Sequence, residues 1–376
     1  MNKEDWEVKK LGEVFELYQP KTISASDMIE DGKYPVFGAN GIIGNYNQYN
    51  HKDIELLLTC RGATCGTINI SQPFSWINGN AMVIHPKNAD SMIFKFVYYQ
   101  LLGADLSSVI TGAAQPQITR KSLKVLDFHI PPLHIQTQIV AELDELNAIL
   151  DKKRKQLEEL DTLAQATFYD MFGDPVLNEK GWEVKKLKDI VKKIGSGSTP
   201  RGGNKSYKAE GISFIRSLNI HNGAFSDHRL AFIDEKQARL LKNVIVEEND
   251  VLLNITGASV ARCCVVPIQI IPARVNQHVS IIRLKPELAN YFYVERLFIS
   301  KSYQYLLLSQ SKSIGATREA LTKSSLQELV IPIPPLPLQH QFAERIEAIE
   351  AQKELINQSI KEVQLLFDYT MDKYFN

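Results

Sequence analysis

The feature that most constrains this chain is a repeat. WEVKKL stands at 6–11 and again at 182–187, an offset of 176. A six-residue match that includes a tryptophan does not arise casually. Further on, an apolar run enters a small-residue turn twice, LLLTCRGATCG at 56–66 and VLLNITGASVA at 251–261; laying Gly62 on Gly257 makes the offset 195. An Asn-containing segment follows in each half, INGNAMVI at 77–84 and VNQHVSII at 275–282. ITRKSLKVLDFHIPPLHIQTQI at 118–139 then matches LTKSSLQELVIPIPPLPLQHQF at 321–342, with the offset now 203. Growing offsets mean one architecture used twice, with insertions in the second copy. The ends of the copies match best and their middles diverge, as a shared framework carrying different surface loops would.

Each copy divides again. The first globular part, 1–131, and the second, 175–334, mix short β-like runs with Gly, Pro and Asn turns. Strands are expected over 55–59, 67–70 and 81–84, then over 212–216, 250–255, 264–267 and 279–284; helices are expected over 91–103 and 290–308. After Pro131-Pro132 and Pro334-Pro335 the pattern changes to apolar residues at alternating steps of three and four. The first stripe is Ile139, Leu143, Leu146, Leu150, Leu157 and Leu160, and the second Phe342, Ile346, Ile349, Ile356, Ile360 and Val363, with Lys153 and Lys353 as interruptions. That rhythm specifies a knobs-into-holes seam, and the prolines set the helix starts. A lone helix of this kind is marginal in water, so the two segments, 132–174 and 335–376, are expected to pair with each other. The first must carry the chain between the globular parts and the second starts at the later one, so the pairing is antiparallel. The fold class is therefore α+β: two tandem mixed α/β domains on an antiparallel coiled coil, related by an approximate two-fold axis.

Formal charge is zero over 376 residues, with 43 basic and 43 acidic side chains, but it is unevenly divided. Residues 1–131 carry −1, 132–174 carry −5, 175–333 carry +9 and 334–376 carry −3. A basic second domain fits a polyanion such as nucleic acid, whereas acidic helices suit a spacer or protein partners. The N-terminus lacks an apolar targeting core and no 18-residue apolar run occurs, so a cytoplasmic location without membrane contact is expected. Four cysteines, Cys60, Cys65, Cys263 and Cys264, form no disulfide framework and have no histidines at zinc-ligand spacing. GSGSTPRGG at 195–203 lacks the Gly-Lys-Ser/Thr ending of a phosphate-binding loop, and no methyltransferase motif accompanies it. Glu7-Val8-Lys9 and Glu183-Val184-Lys185 carry the letters of a nuclease motif but lie inside the repeated WEVKKL framework, where a structural use is expected. No catalytic residue is assigned.

The order of these marks, duplicated, resembles the DNA-specificity subunit of type I restriction–modification enzymes over essentially the whole chain. The marks are the WEVKKLGEV and WEVKKLKDI openings, GSGSTPRGG with downstream GISFIRSLNI, NITGASVARC with VNQHVSII, the IPIPPLPLQHQFAERI junction, and FYDMFGDP closing the central helix. The resemblance implies a non-catalytic subunit that reads a bipartite, asymmetric duplex target, one half per domain across a fixed gap. It implies two modification (methyltransferase) subunits and restriction/translocase subunits as partners, with S-adenosylmethionine, ATP and magnesium belonging to them. The first domain departs from the fullest pattern: KTISASDMIEDGKYPVFGANGIIGNY at 21–46 replaces the glycine-rich loop, so the half-sites are expected to differ.

Reading a duplex needs side chains at base edges and phosphate contacts that fix register; Arg suits guanine, Asn or Gln adenine, and Lys phosphate. In the second domain the candidates are Ser198, Thr199, Arg201, Asn204 and Lys205 on the glycine-rich loop, Arg216 and Asn219 at a strand end, Thr256, Ser259 and Arg262 near the second turn, and Asn276, Gln277 and His278. In the first they are Asn40, Asn45, Tyr46, Arg61, Thr64 and Asn80. For Arg61 and Arg216 a framework ion pair competes with base contact, and for Asn276 and His278 a self-bonded turn does. Trp6 and Trp182 are read as framework core. The rival functions are a coiled-coil adaptor with two protein-binding heads and no DNA contact, and a methyltransferase fusion lacking its catalytic part.

Overall fold

The computed structural model describes residues 6–112, 115–312 and 320–375. The chain divides into two compact units, Met1–Arg154 with Gln358–Asn376, and Lys155–Asn357. Each unit therefore holds one globular domain together with a stretch of both long helices.

In the first unit, strands Phe15–Tyr18, Ala81–Pro86, Leu56–Thr59 and Ile68–Ile70 lie in that order in one antiparallel sheet. A second sheet places Tyr34–Gly38 between Gly41–Tyr46, antiparallel, and Trp76–Ile77, parallel. The second unit repeats this with Val191–Ser196, Val279–Leu284, Val251–Asn254 and Cys263–Val265. Its other sheet orders Ala231–Ile233, Ile212–Ile215, Ala273–Val275 and Ile245–Val246, again with a central parallel pair, Ile212–Ile215 beside Ala273–Val275. The duplication thus extends into the middles, where the sequences no longer match.

LLLT and VLLN contain no polar alternation because both faces of these strands are covered. Leu56 and Leu58 face one core and Leu57 another; Val251 and Leu253 likewise oppose Leu252. The same alternation sends Cys263 and Cys264 to opposite faces, so the adjacent cysteines act as separate small apolar residues. Burial pushes both thiols well up.

The best-matched ends of each copy meet in space. Glu7–Lys10 pairs antiparallel with Asp127–Ile130, and Glu183–Lys186 with Val330–Ile333. This two-stranded clasp closes each domain just before its double proline. Lys10 Nζ donates to Asp127 at 2.6 Å, and Lys186 and Lys188 share Glu328, holding its carboxyl down at about 2. The Glu-Val-Lys letters are thus clasp residues, with Glu7 and Lys9 paired at 2.9 Å. Trp6 is buried as expected; Trp182 is only half-buried, its Nε1 donating to the Phe172 carbonyl at 2.9 Å.

The long helices run Leu133–Phe172 and Leu336–Phe375, each 40 residues. Within the second unit, Asp161 takes Lys353 at 2.8 Å while Phe172 meets Phe342 at 5.1 Å, so the partner number falls as the first helix advances and the pairing is antiparallel. Within the first unit, Ile139, Leu143 and Leu146 share a core with Phe367, Met371 and Tyr374. Lys353 interrupts the heptad harmlessly, since Asp161 and Glu350 neutralise it. Burial along the expected seam is uneven. Ile139, Leu143, Leu146, Leu150, Phe342, Ile346 and Ile349 are buried, but Leu157, Leu160, Ile356, Ile360 and Val363 are only half-buried. A two-helix seam covers its side chains fully only where a domain adds a third wall, which explains the burial of Phe168, Phe172 and Phe342 against Tyr293. The helix expected over 290–308 is two helices, Tyr291–Ile299 and Lys301–Ser311, because Ser300 between them is extended (φ −61°, ψ 146°).

One glutamine per copy fastens helix to domain. Gln136 Oε1 accepts from the Ile93 N–H at 2.9 Å, and its Nε2 donates to Ser91 O at 3.2 Å and Pro131 O at 2.9 Å. Gln339 does the same with Asn290 N–H at 2.9 Å, Leu288 O at 3.4 Å and Pro334 O at 2.8 Å. Both side chains are wholly buried.

Candidate nucleic-acid interface

In the second domain the expected residues converge from three separate segments. Thr199, on the glycine-rich loop, donates its hydroxyl to Gln277 Oε1 at 2.5 Å. Gln277 Nε2 meets His278 Nε2 at 3.1 Å, and His278 Nδ1 meets Thr256 Oγ1 at 2.5 Å. A continuous polar chain therefore links the glycine-rich loop, the VNQH turn and the NITG turn. The loop approaches because Gly197 has no side chain: a Cβ there would sit 1.8 Å from the Val275 carbonyl oxygen. Gly257 (φ +79°) forms the tight turn after Thr256. Thr256, Ser259, Arg262 and His278 line one open groove of about 880 Å³, together with Ser217 and Leu218. Arg201, Asn204, Lys205, Arg262 and Gln277 are exposed; Ser198 is exposed and Thr199 half-buried.

Two expected base readers are corrected. Asn219 is wholly buried; its Oδ1 accepts from the Arg216 N–H at 3.0 Å and its Nδ2 donates to Ser226 O at 2.9 Å. Asn276 is also buried, and its Oδ1 accepts from the His278 N–H at 3.0 Å. Both shape turns that present their neighbours, the self-bonding habit of Asn. Arg216 is half-buried and makes no framework ion pair among the described residues. Its guanidinium donates to the Arg229 carbonyl and lies over the Tyr207 ring, 5.3 Å from the centroid.

In the first domain the hairpin Tyr34–Gly38/Gly41–Tyr46 turns through Ala39 and Asn40. Thr59 Oγ1 donates to the Ala39 carbonyl, and Asn69 Nδ2 donates to Asn40 Oδ1 at 3.0 Å, fixing that tip beside the turn that carries Arg61 and Thr64. Asn40, Arg61, Thr64 and Asn80 are exposed, and no salt bridge engages Arg61 among the described residues. Asn45 and Tyr46 are less available. Asn45 Nδ2 donates to Glu30 O at 3.1 Å, and Tyr46 packs edge-on against Trp76 at 5.3 Å. The hub here is Asn78, the counterpart of Asn276, whose Oδ1 accepts from Ile23 N–H at 2.9 Å and from Trp76 Nε1 at 3.1 Å. Laying INGN on VNQH aligns Asn78 with Asn276, but hub and reader asparagines look alike in sequence.

Cys60, raised to about 11 by burial, and half-buried Cys65 flank the first-domain turn. Among the described residues no group of three or more His, Cys, Asp or Glu side chains is placed to hold a metal ion. No helix there is long and apolar enough to cross a membrane.

Comparison with known proteins gives a consistent picture. A family profile described as the type I restriction modification DNA specificity domain matches twice, over residues 3–161 and 179–365. The MjaIX specificity subunit of Methanocaldococcus jannaschii is 26% identical over 317 residues, covering 78% of this chain and 70% of its own length. The MjaVIII specificity subunit of the same organism is 23% identical over 376 residues, covering 92% and 86%. Among solved structures, the type I S subunit from M. genitalium superposes with a TM-score of 0.59 at 15% identity, over 100% of this chain and 98% of that one. A chain from a structure of type I complex assembly and conformational transition gives 0.55 at 17% identity, over 99% and 97%. With the family's domain matched in both halves, this chain belongs to the type I restriction–modification DNA specificity family.

Proposed function

We propose that the chain is the non-catalytic DNA-reading subunit of a type I restriction–modification complex, recognising a bipartite, asymmetric duplex sequence with one half-site per domain. The observation that carries this reading is that the two domains share one scaffold but fill its surface positions differently: Asn40, Arg61 and Thr64 in one, and the Thr199–Gln277–His278–Thr256 chain with Arg262 in the other. One scaffold with two reader sets suits a target whose halves differ. The functional division is 1–131 and 175–334 as readers, with 132–174 and 335–376 as spacers. Exposed Leu163, Leu355, Leu365, Leu366 and Tyr369 on the helices offer apolar area for two modification subunits. Restriction/translocase subunits would join that assembly, and S-adenosylmethionine, ATP and magnesium would be bound by the partners.

The test is an electrophoretic shift with random duplex, repeated with the cognate modification subunit added, followed by genome-wide mapping of methyladenine. A split motif with unlike halves supports the reading. A protein-bridging adaptor would shift neither sample, and that result would overturn it.

A further inference from the structure

The two domains differ informatively at one equivalent position. Phe37 pairs with Ile77 and Ile215 with Val275, each just before the hub asparagine, Asn78 or Asn276. Counting forward from Phe37 and Ile215, Asn40 and Leu218 occupy the same place. The anchoring is also shared: the carbonyl before Asn40 accepts from Thr59 Oγ1, and the carbonyl before Leu218 accepts from Asn254 Nδ2 at 2.9 Å. Thr59 and Asn254 both stand three residues before the paired turn glycines, Gly62 and Gly257. The scaffold therefore presents Asn40 and Leu218 alike, an amide in one domain and an isobutyl group in the other.

Leu218 is 41% exposed although it sits in a rigid turn, Ser217–Asn219, held from below by buried Asn219 and Asn254. It borders the same groove as Arg262, Thr256 and His278. The small residues Ala258 and Ala320 line that groove too, leaving an apolar spot among polar readers. Its domain carries +9, so a duplex is the occupant that the charge favours. Among major-groove edges, only one natural base offers an apolar knob, the C5-methyl group of thymine.

We propose that Leu218 is a specificity-determining residue of the second domain and reads the methyl group of a thymine in its half-site. The assignment rests on the DNA-reading function above, and its test separates the two. The full chain with its modification subunits is titrated, at fixed salt, with duplexes carrying the mapped target in which each second-half-site thymine is replaced in turn by deoxyuridine. One such replacement weakens binding by the wild type roughly fourfold, the factor for one buried methyl group, and leaves Leu218→Ala, already weaker on thymine DNA, unaffected. The deoxyuridine series needs no variant, so it stands even if Leu218→Ala misfolds. The assignment falls if no position responds, if Leu218→Ala responds as strongly as wild type, or if the second half-site contains no A·T pair. Absence of sequence-dependent binding on the unsubstituted target would overturn the DNA-reading function itself.

Discussion

Replacing Gln339 by leucine keeps the size of the side chain but removes a clamp between the C-terminal helix and the second domain. Three internal hydrogen bonds disappear, to Asn290 N–H, Leu288 O and Pro334 O. Because Gln339 is wholly buried, water cannot replace them in place. The stranded amide N–H alone costs about 1–3 kcal/mol, and the weakened carbonyls bring the loss to about 2–4 kcal/mol. Asn290 also caps the helix Tyr291–Ile299 through Phe292 N–H at 2.9 Å, so disturbing its backbone weakens that cap. At a urea dependence of about 2 kcal/mol/M, the unfolding midpoint of the second unit drops by about 1–2 M. Trp182 reports that unit selectively once Trp6 and Trp76, both in the first unit, are changed to phenylalanine. Gln341→Leu, two residues on and exposed, is the matched control and leaves the midpoint in place. A shift under about 0.3 M for Gln339→Leu, or an equal shift for the control, would refute the argument; Gln136→Leu does the same in the first unit.

Arg201→Ala, on the exposed glycine-rich loop, weakens duplex binding without loss of helix signal and lowers the slope of log affinity against log salt by about one if it meets a phosphate; wild-type affinity in a fluorescence titration at defined salt refutes its role. Inserting four residues into the central helix changes the unread gap of the methylated sequence while both half-sites stay the same, and an unchanged gap in methylation mapping refutes the ruler role of that helix. Burial raises the pKa of Glu295 despite neighbouring Arg296. The folded state therefore keeps this proton to higher pH than the unfolded chain does, so its contribution is fully present below the ordinary carboxylate range and is lost as pH rises through the folded value. For one proton the slope is at most about 1.4 kcal/mol per pH unit. Glu295→Gln flattens that part of the pH–stability profile measured by thermal unfolding, and an unaltered profile refutes the assignment.

What was legible in the residues was whatever the framework repeats. WEVKKL and the IPPL segments matched because they face each other in the clasp, where register leaves little latitude. The helices were legible from their stripe, but the stripe could not show how deeply each position sinks: Leu143 and Leu157 follow the same rhythm, yet only Leu143 gains a domain wall. The equivalence of KYPVF with GISFI was not legible, because the shared quantity there is a backbone pairing rather than a side chain. Part of the extra length of the second copy, added before Gly257, is a hairpin, Ile220–His221 with Ala224–Phe225, and a further helix, Glu235–Leu240. Within the interface, polar residue types marked the surface correctly for Arg201, Arg262 and Gln277 but misled for Asn219 and Asn276. An asparagine that bonds a base and one that bonds its own turn are the same letter; burial separates them.

The clasp has a consequence beyond stability. Because Glu7–Lys10 lies against Asp127–Ile130, the polypeptide enters and leaves the first head at adjacent points, and Glu183–Lys186 with Val330–Ile333 gives the other head the same doorway. A head bounded in this way is a cassette: a foreign insert whose termini meet at the same separation could be grafted between WEVKKL and the double proline without recutting the stem. New specificities would then be acquired by transplanting whole modules, sparing the helices the simultaneous changes that piecemeal redesign would demand.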